Sequence, residues 1–234
     1  MSQKQAIING VKAIMPLCIG DFPFSFIVGA LSIGAGMTVW QSTSWSLIVL
    51  AGSSQMVALD LLNTGTSIGV IVLTTLIINL RHVLYSASLA EPMKHASFIS
   101  RVLMAYGLTD EVYAITVKPM HENNTSKFYF YMAAMLTFWG VWGLADFLGA
   151  VLGAMLPDID KYGLDFAMVA AFIAIVVPQV KSRACIVAAV VASVSGVLLV
   201  GLPYSLGIVA AALIGGTAGL FIDLAEEKQT KCAE

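Results

Sequence analysis

The sequence predicts an all-α, polytopic transmembrane helix bundle of about six to eight spans, with broken or re-entrant helices. Three observations carry this expectation. Of the 234 residues, 59% are hydrophobic and 11% charged, whereas soluble domains run at about 25% charged. From Phe22 to Leu80 the chain carries a single charged side chain, Asp60. Ala184 to Ile222 carries none, which is long enough for two spans on either side of the Gly201-Leu202-Pro203 break. A water-soluble chain of this size has no single core that could hide so much apolar surface.

In chain order, apolar segments are expected over 11–37, 45–63, 67–90, 128–157, 164–180, 184–201 and 203–223. An eighth, over 101–118, is weaker because "LTDE" interrupts it. Polar connections fall at 91–100, 119–127, 158–163 and 181–183, and 224–234 reads as a solvated tail. The first apolar run follows Lys4 and Lys12 but is longer than a signal-peptide core and lacks a clear cleavage site, so it is expected to be a retained span. Basic residues in short loops place the N-terminus (Lys4, Lys12), the 91–100 loop (Lys94, with Arg101 beside it) and the Lys181–Arg183 turn on the inner side. Three apolar segments separate the first two, so one of them is expected to be re-entrant or broken. The whole of 1–234 reads as one membrane domain with no soluble insertion.

There is a faint internal echo. "DFPFSFIVGA" begins at Asp21 with Gln55 34 residues on, and "DFLGAVLGA" begins at Asp146 with Gln179 33 residues on. Repeat halves over about 11–118 and 128–223 would suit a transporter; chance in low-diversity apolar sequence is the rival explanation.

The polar residues within these segments are the candidate site. In the first segment Pro16, Gly20, Pro23 and Gly29 surround Asp21. This fits either a discontinuous helix at a substrate or ion site or a kinked structural helix with a paired carboxyl. In "AGSSQ", Gly52, Ser53, Ser54 and Gln55 suit close helix packing with cross-helix hydrogen bonds. The alternative, which the sequence favours less than packing, is unwound backbone cradling a ligand's charged end, with Gln55 orienting it. Asn79, Arg81, His82 and Tyr85 gather at the end of the 67–90 segment. Arg81 there either snorkels to the interface or pairs within the bundle. Asp110 and Glu111 supply the counter-charge, and with Arg81 and His82 they would form a proton relay, the other reading being a solvated acidic helix end.

A net charge of −2 with no large basic stripe argues against nucleic acid. Cys18, Cys185 and Cys232 show neither metal spacing nor a disulfide framework, and His95 and His121 lie in polar loops, so no metal and no cofactor is expected. An intramembrane hydrolase would have only Ser53 or Ser54 with His82 to work with and lacks the G-x-S-x-G elbow, so the chain is not expected to be an enzyme.

Four motifs in order, "AGSSQ" (51–55), "NLRHVLYSASLAEP" (79–92), "LTDEVYAI" (108–115) and "GLDFAMVAAFIAIVVPQ" (163–179) followed by "KSR", resemble the AzlC family. These are the large subunits of bacterial branched-chain amino-acid exporters of the LIV-E type. Each motif alone is weak; together they cover essentially the whole chain. The resemblance implies a multi-pass bacterial inner-membrane protein that exports valine, leucine, isoleucine and in some cases methionine. It implies a secondary carrier coupled to the proton motive force, working with a small AzlD-type subunit of about four spans. It carries over Gly52, Ser53, Gln55, Asn79, Arg81, His82, Tyr85, Asp110 and Glu111; Asp21 and Asp146 stand outside the shared pattern. On this reading Asp21, Gly52–Gln55 and Asn79 hold substrate, while Arg81, His82, Tyr85, Asp110 and Glu111 couple protons. A channel, or a non-transporting scaffold subunit of a two-part complex, is the alternative.

Overall fold

The computed structural model describes residues 2–121, 127–155, 173, 177, 180–202 and 206–233. The segment expected over 164–180, including the 163–179 motif and Gln179, lies outside the described residues apart from 173, 177 and 180. The helices are α1 (Gln3–Gly34), α2 (Val39–Val49), α3 (Gly52–Asn63), α4 (Ile68–Asn79), α5 (Arg81–Ala90), α6 (Phe98–Tyr106), α7 (Asp110–His121), α8 (Lys127–Met155), α9 (Arg183–Leu198) and α10 (Leu206–Ala233). No β-strand occurs among the described residues. Three helical stretches are long and apolar enough to cross a membrane: Gln3–Gly34, Ile68–Ala90 (α4 and α5 taken together) and Lys127–Met155. The second of these turns Ile68, Val72, Leu76, Val83 and Leu84 outward, as a lipid-facing helix does. The all-α membrane class predicted from composition is therefore the class observed.

The chain divides into two compact units, one of Met1–Leu59 with Ile78–Leu164 and the other of Asp60–Ile77 with Asp165–Glu234. The first is organised by α1 against α8. Their backbones come close wherever a glycine stands: a Cβ at Gly10 would meet the Phe130 carbonyl, one at Gly29 the Asp146 carbonyl, and one at Gly149 the Phe26 carbonyl. Lipid offers no hydrophobic drive between helices, so this close backbone approach and its dispersion energy hold the pair. Ala6, Ile14, Val28, Tyr131, Ala134, Ala145 and Ala150 are buried along the two helices. Tyr131 keeps its hydroxyl satisfied by donating to the Met104 carbonyl at 2.7 Å. In the second unit α9 and α10 follow the same small-residue logic, with Gly215 and Gly219 against Ala188 and Ala192.

The position of the helix break differs from the proline-based expectation. α1 runs through Pro16 and Pro23 without interruption, so the discontinuous reading of the first segment does not hold. The break lies in the second segment, between α2 and α3. There Leu50 adopts φ 48°, ψ 37°, a left-handed conformation that costs a β-carbon-bearing residue roughly 1–2 kcal/mol. Long-range hydrogen bonds help hold α2 to this end point. The Leu47 carbonyl, one of the last in α2, accepts from Trp139 Nε1 at 3.2 Å and from the Tyr106 hydroxyl. At its start α2 is fixed by a capping box: Thr38 N donates to Gln41 Oε1 at 2.8 Å and Gln41 N to Thr38 Oγ1 at 3.3 Å.

Candidate functional site

The break places the N-terminus of α3 inside the first unit. The first N–H groups of a helix have no partner within it and carry the positive end of its dipole. Here they belong to Gly52, Ser53 and Ser54. Gly52 is buried under aromatic rings, because any Cβ there would strike Phe24 and Trp142, themselves a ring pair with centroids 5.9 Å apart.

α5 and α7 bring the charged residues to this end. Arg81 opens α5 and Asp110 opens α7. Arg81 Nη1 lies 2.6 Å from Asp110 Oδ2, with the side chains 29% and 32% exposed, so the pair is largely withdrawn from solvent. The other arm of the same guanidinium, Nη2, donates to Ser53 Oγ at 2.8 Å. One step along, Asn79 Nδ2 donates to Ser54 Oγ at 3.2 Å, and Ser54 Oγ donates to the Ala51 carbonyl at 2.9 Å. The fixed fork of the guanidinium serves the two partners from two different nitrogens, which a single ammonium nitrogen cannot do. Three buried polar atoms at this junction have no partner: Arg81 Nε, Asp110 Oδ1 and Asn79 Oδ1. Buried polar atoms are nearly always hydrogen-bonded, so these three are where a water, an ion or a ligand group completes the network.

The remaining predicted residues surround this junction. His82 and Tyr85 meet edge to face at 6.0 Å, and Tyr85 stacks on Tyr113 at 4.4 Å, whose hydroxyl donates to Ser88 Oγ at 3.0 Å. Glu111 and Asp21 are partly buried, and their charges interact with each other and with Asp110. Among the described residues Arg81 pairs with Asp110 alone of these three carboxylates. Gln55 goes elsewhere: fully buried, it turns away from the ion pair and donates from Nε2 to Ser46 Oγ at 2.9 Å. Asp21 makes no contact with the α3 N-terminus among the described hydrogen bonds and ion pairs; it joins the acidic cluster instead.

Sequence reasoning missed two features. The first is Tyr113, which fixes Tyr85. The second is the polar knot around Asp146, where Ser42 Oγ donates to Oδ1 at 2.9 Å and Ser46 Oγ to Oδ2 at 2.6 Å. The signal was present in the spacing: Ser42 and Ser46 are i,i+4 on α2, one hydroxyl face presented to one carboxylate.

An apolar cavity of about 210 Å³ lies among Ser86, Leu89, Met93, Met104, Leu108 and Tyr131, with Arg101 at its lining. Among the described residues no group of three or more His, Cys, Asp or Glu is arranged to hold a metal ion.

Comparison with known proteins places this geometry in a family. The family described as AzlC protein matches residues 16–156, which include the break and the Arg81–Asp110 pair. The chain is 30% identical over 85% of its length, and 84% of the relative's, to the inner membrane protein YgaZ of Escherichia coli. It is 29% identical over 92% of its length to a membrane protein of Archaeoglobus fulgidus, covering 94% of that protein. It is 24% identical over 70% of its length, and 64% of the relative's, to the branched-chain amino acid transport protein AzlC of Bacillus subtilis. No solved structure matches. This chain is a membrane protein and belongs to the AzlC family.

Proposed function

We propose that this protein is the large subunit of a secondary transporter that exports branched-chain amino acids across a bacterial inner membrane. Transport is coupled to inward proton movement and assisted by a small AzlD-type membrane subunit. Membership of the AzlC family, with the Bacillus subtilis relative named for branched-chain amino acid transport, supports the substrate class. The observation that carries the site is the Arg81 guanidinium bridging Asp110 and Ser53 at the α3 N-terminus, with unpartnered donor and acceptor atoms around it.

A zwitterionic amino acid needs donors for its carboxylate and acceptors for its ammonium. The α3 N–H groups and Arg81 Nε are the donors, and half-helix N-termini in discontinuous helices serve anionic groups in this way. Asn79 Oδ1 and Asp110 Oδ1 are the acceptors. The apolar cavity beside α5 and the 107–109 turn is of a size to take an aliphatic side chain. Such a pocket separates side chains differing by one methylene by only about 1–3 kcal/mol, so valine, leucine, isoleucine and methionine overlap as substrates. Proton coupling follows from charge balance. A substrate carboxylate at Arg81 Nε shares the guanidinium's positive charge with Asp110, so substrate arrival weakens the ion pair without displacing it. The cluster of Asp110, Glu111 and Asp21 then compensates by binding a proton, with His82 and Tyr85 alongside.

The test is efflux from cells preloaded with a leucine- or valine-containing dipeptide, comparing strains lacking the gene, expressing it alone, and expressing it with the small subunit. Faster release that an uncoupler abolishes is expected. Asp110→Asn and Glu111→Gln are each expected to lower proton-driven efflux at least tenfold while leaving uncoupled leucine exchange measurable. Retention of full proton-driven efflux by both variants contradicts the coupling role. Release requiring only the small subunit assigns this chain a scaffold role instead.

A further inference from the structure

We infer that Asp146 is a proton-binding site in its own right, separate from the Arg81–Asp110 cluster, and that its protonation reverses the direction of a hydrogen-bond chain leading to the α2–α3 break. Asp146 is fully buried in α8. α2, which supplies its hydrogen-bond donors, has no titratable side chain. The other elements packed on α8 carry Lys4, Lys12, Cys18 and Asp21 (α1), Arg101 and Tyr106 (α6), and Asp110, Glu111, Tyr113, Lys118 and His121 (α7). Lys127, Tyr129 and Tyr131 lie on α8 itself. Among the described residues none of these pairs with Asp146 or acts on its charge. Among the described residues its polar side-chain surroundings are hydroxyls alone: Ser42 and Ser46 donate to it, and Thr43 stands close by. A buried carboxylate with no cation is expensive in a bilayer, and two or three hydroxyls offset only part of that cost.

The connection to Gln55 shows what protonation does. With Asp146 ionised, both serines donate to it, and Ser46 Oγ can only accept from the Gln55 amide nitrogen. This leaves Gln55 Oε1, on a residue with no solvent exposure, without a partner. A proton arriving from water forms an O–H bond on Asp146 Oδ2 and no bond in the protein breaks. That O–H donates to Ser46 Oγ across the 2.6 Å contact. Ser46 then turns its own hydrogen to Gln55, whose amide rotates in place to present its oxygen. Oε1 then accepts from Ser46 while the amide N–H groups give up Ser46 and take the unpartnered position, so the polarity of the chain is reversed at α3, three residues beyond Gly52.

The experiment is infrared difference spectroscopy of the full chain in nanodiscs, titrated over pH in sodium and then in potassium buffer. It needs no substrate, so its outcome is independent of the transport reading. A protonated-carboxyl C=O band that grows as pH falls is expected, together with a change in a glutamine amide band. Both are lost in Asp146→Asn, and the amide change alone is lost in Gln55→Leu. Ser46→Ala keeps the carboxyl and removes the relay, so the C=O band is expected to shift and the amide change to vanish; this variant carries the test if Asp146→Asn does not fold. A titrating band set that none of these substitutions alters overturns the inference, as does an Asp146 signal that follows sodium concentration rather than pH.

Discussion

Arg81→Gln is expected to abolish leucine efflux and to lower the melting temperature of the detergent-solubilised protein by a few degrees. Glutamine fills similar space but removes the charge that faces Asp110 at 2.6 Å and one of the two arms that reach Asp110 and Ser53. Asp110 is then left withdrawn from solvent without a cation, next to Glu111 and Asp21, whose charges it already feels. Breaking one side of a fully buried pair costs about 3–5 kcal/mol; for a pair roughly one-third exposed, about 1–3 kcal/mol is the appropriate scale. Arg81→Gln combined with Asp110→Asn removes both charges and is expected to recover most of the melting temperature but none of the coupled efflux. That split separates the stabilising role of the pair from its transport role. Arg81→Lys keeps the charge but serves one partner at a time, and a loss of about tenfold in efflux with a near-normal melting temperature is expected. Normal efflux by Arg81→Gln would remove this residue from the site.

Gly149→Leu is expected to prevent assembly of the first unit altogether. A Cβ at this position meets the Phe26 carbonyl, and at Gly29 the Asp146 carbonyl. Backbone cannot rotate aside as a flexible side chain can, so α1 and α8 must separate. Their separation removes the packing that holds them in a medium with no hydrophobic drive between helices. Overpacking a core ordinarily costs about 1–3 kcal/mol; forcing two backbones apart along buried α1 and α8 exceeds that. Expression of Gly149→Leu and Gly29→Leu should give little or no monodisperse peak on size-exclusion chromatography. Gly140→Leu is the matched control, because a Cβ there meets nothing within 4 Å. Full recovery of Gly149→Leu as a folded species would contradict the α1–α8 interface.

The sequence predicted some of these features and not others, for physical reasons. Membrane spans are legible because lipid imposes a length and a composition on each helix, and Gln3–Gly34, Ile68–Ala90 and Lys127–Met155 meet both. The pairing of Arg81 with Asp110 was legible because each charge in so apolar a chain needs an opposite one. The break was misplaced because proline is the local signal for it, and α1 absorbs Pro16 and Pro23 within a continuous helix. The actual break falls at "AGSSQ", where unwound backbone was only the second of two readings because small residues there also mark helix packing. It depends on Trp139 and Tyr106 reaching the Leu47 carbonyl from 92 and 59 residues away, and no window of sequence contains that contact. Gln55 shows the same limit in reverse. Its type and its place in "AGSSQ" suited a ligand, but its amide nitrogen is committed to Ser46 and thence to Asp146. Asp146 stood out only as an echo of Asp21, and the hydroxyl face at Ser42 and Ser46 was the clue left unused.

The most direct test of the proposed proton-linked amino-acid transport at the Arg81 site is made in proteoliposomes containing this chain with the proposed small AzlD-type subunit and a pH-sensitive dye in the lumen. An outward-directed proton gradient and an applied leucine gradient are varied separately. The account predicts that a leucine gradient alone drives proton movement, that valine and isoleucine do the same while glutamate does not, and that Arg81→Gln abolishes the signal. Leucine flux with no accompanying proton movement, or proton movement unchanged in Arg81→Gln, would contradict it.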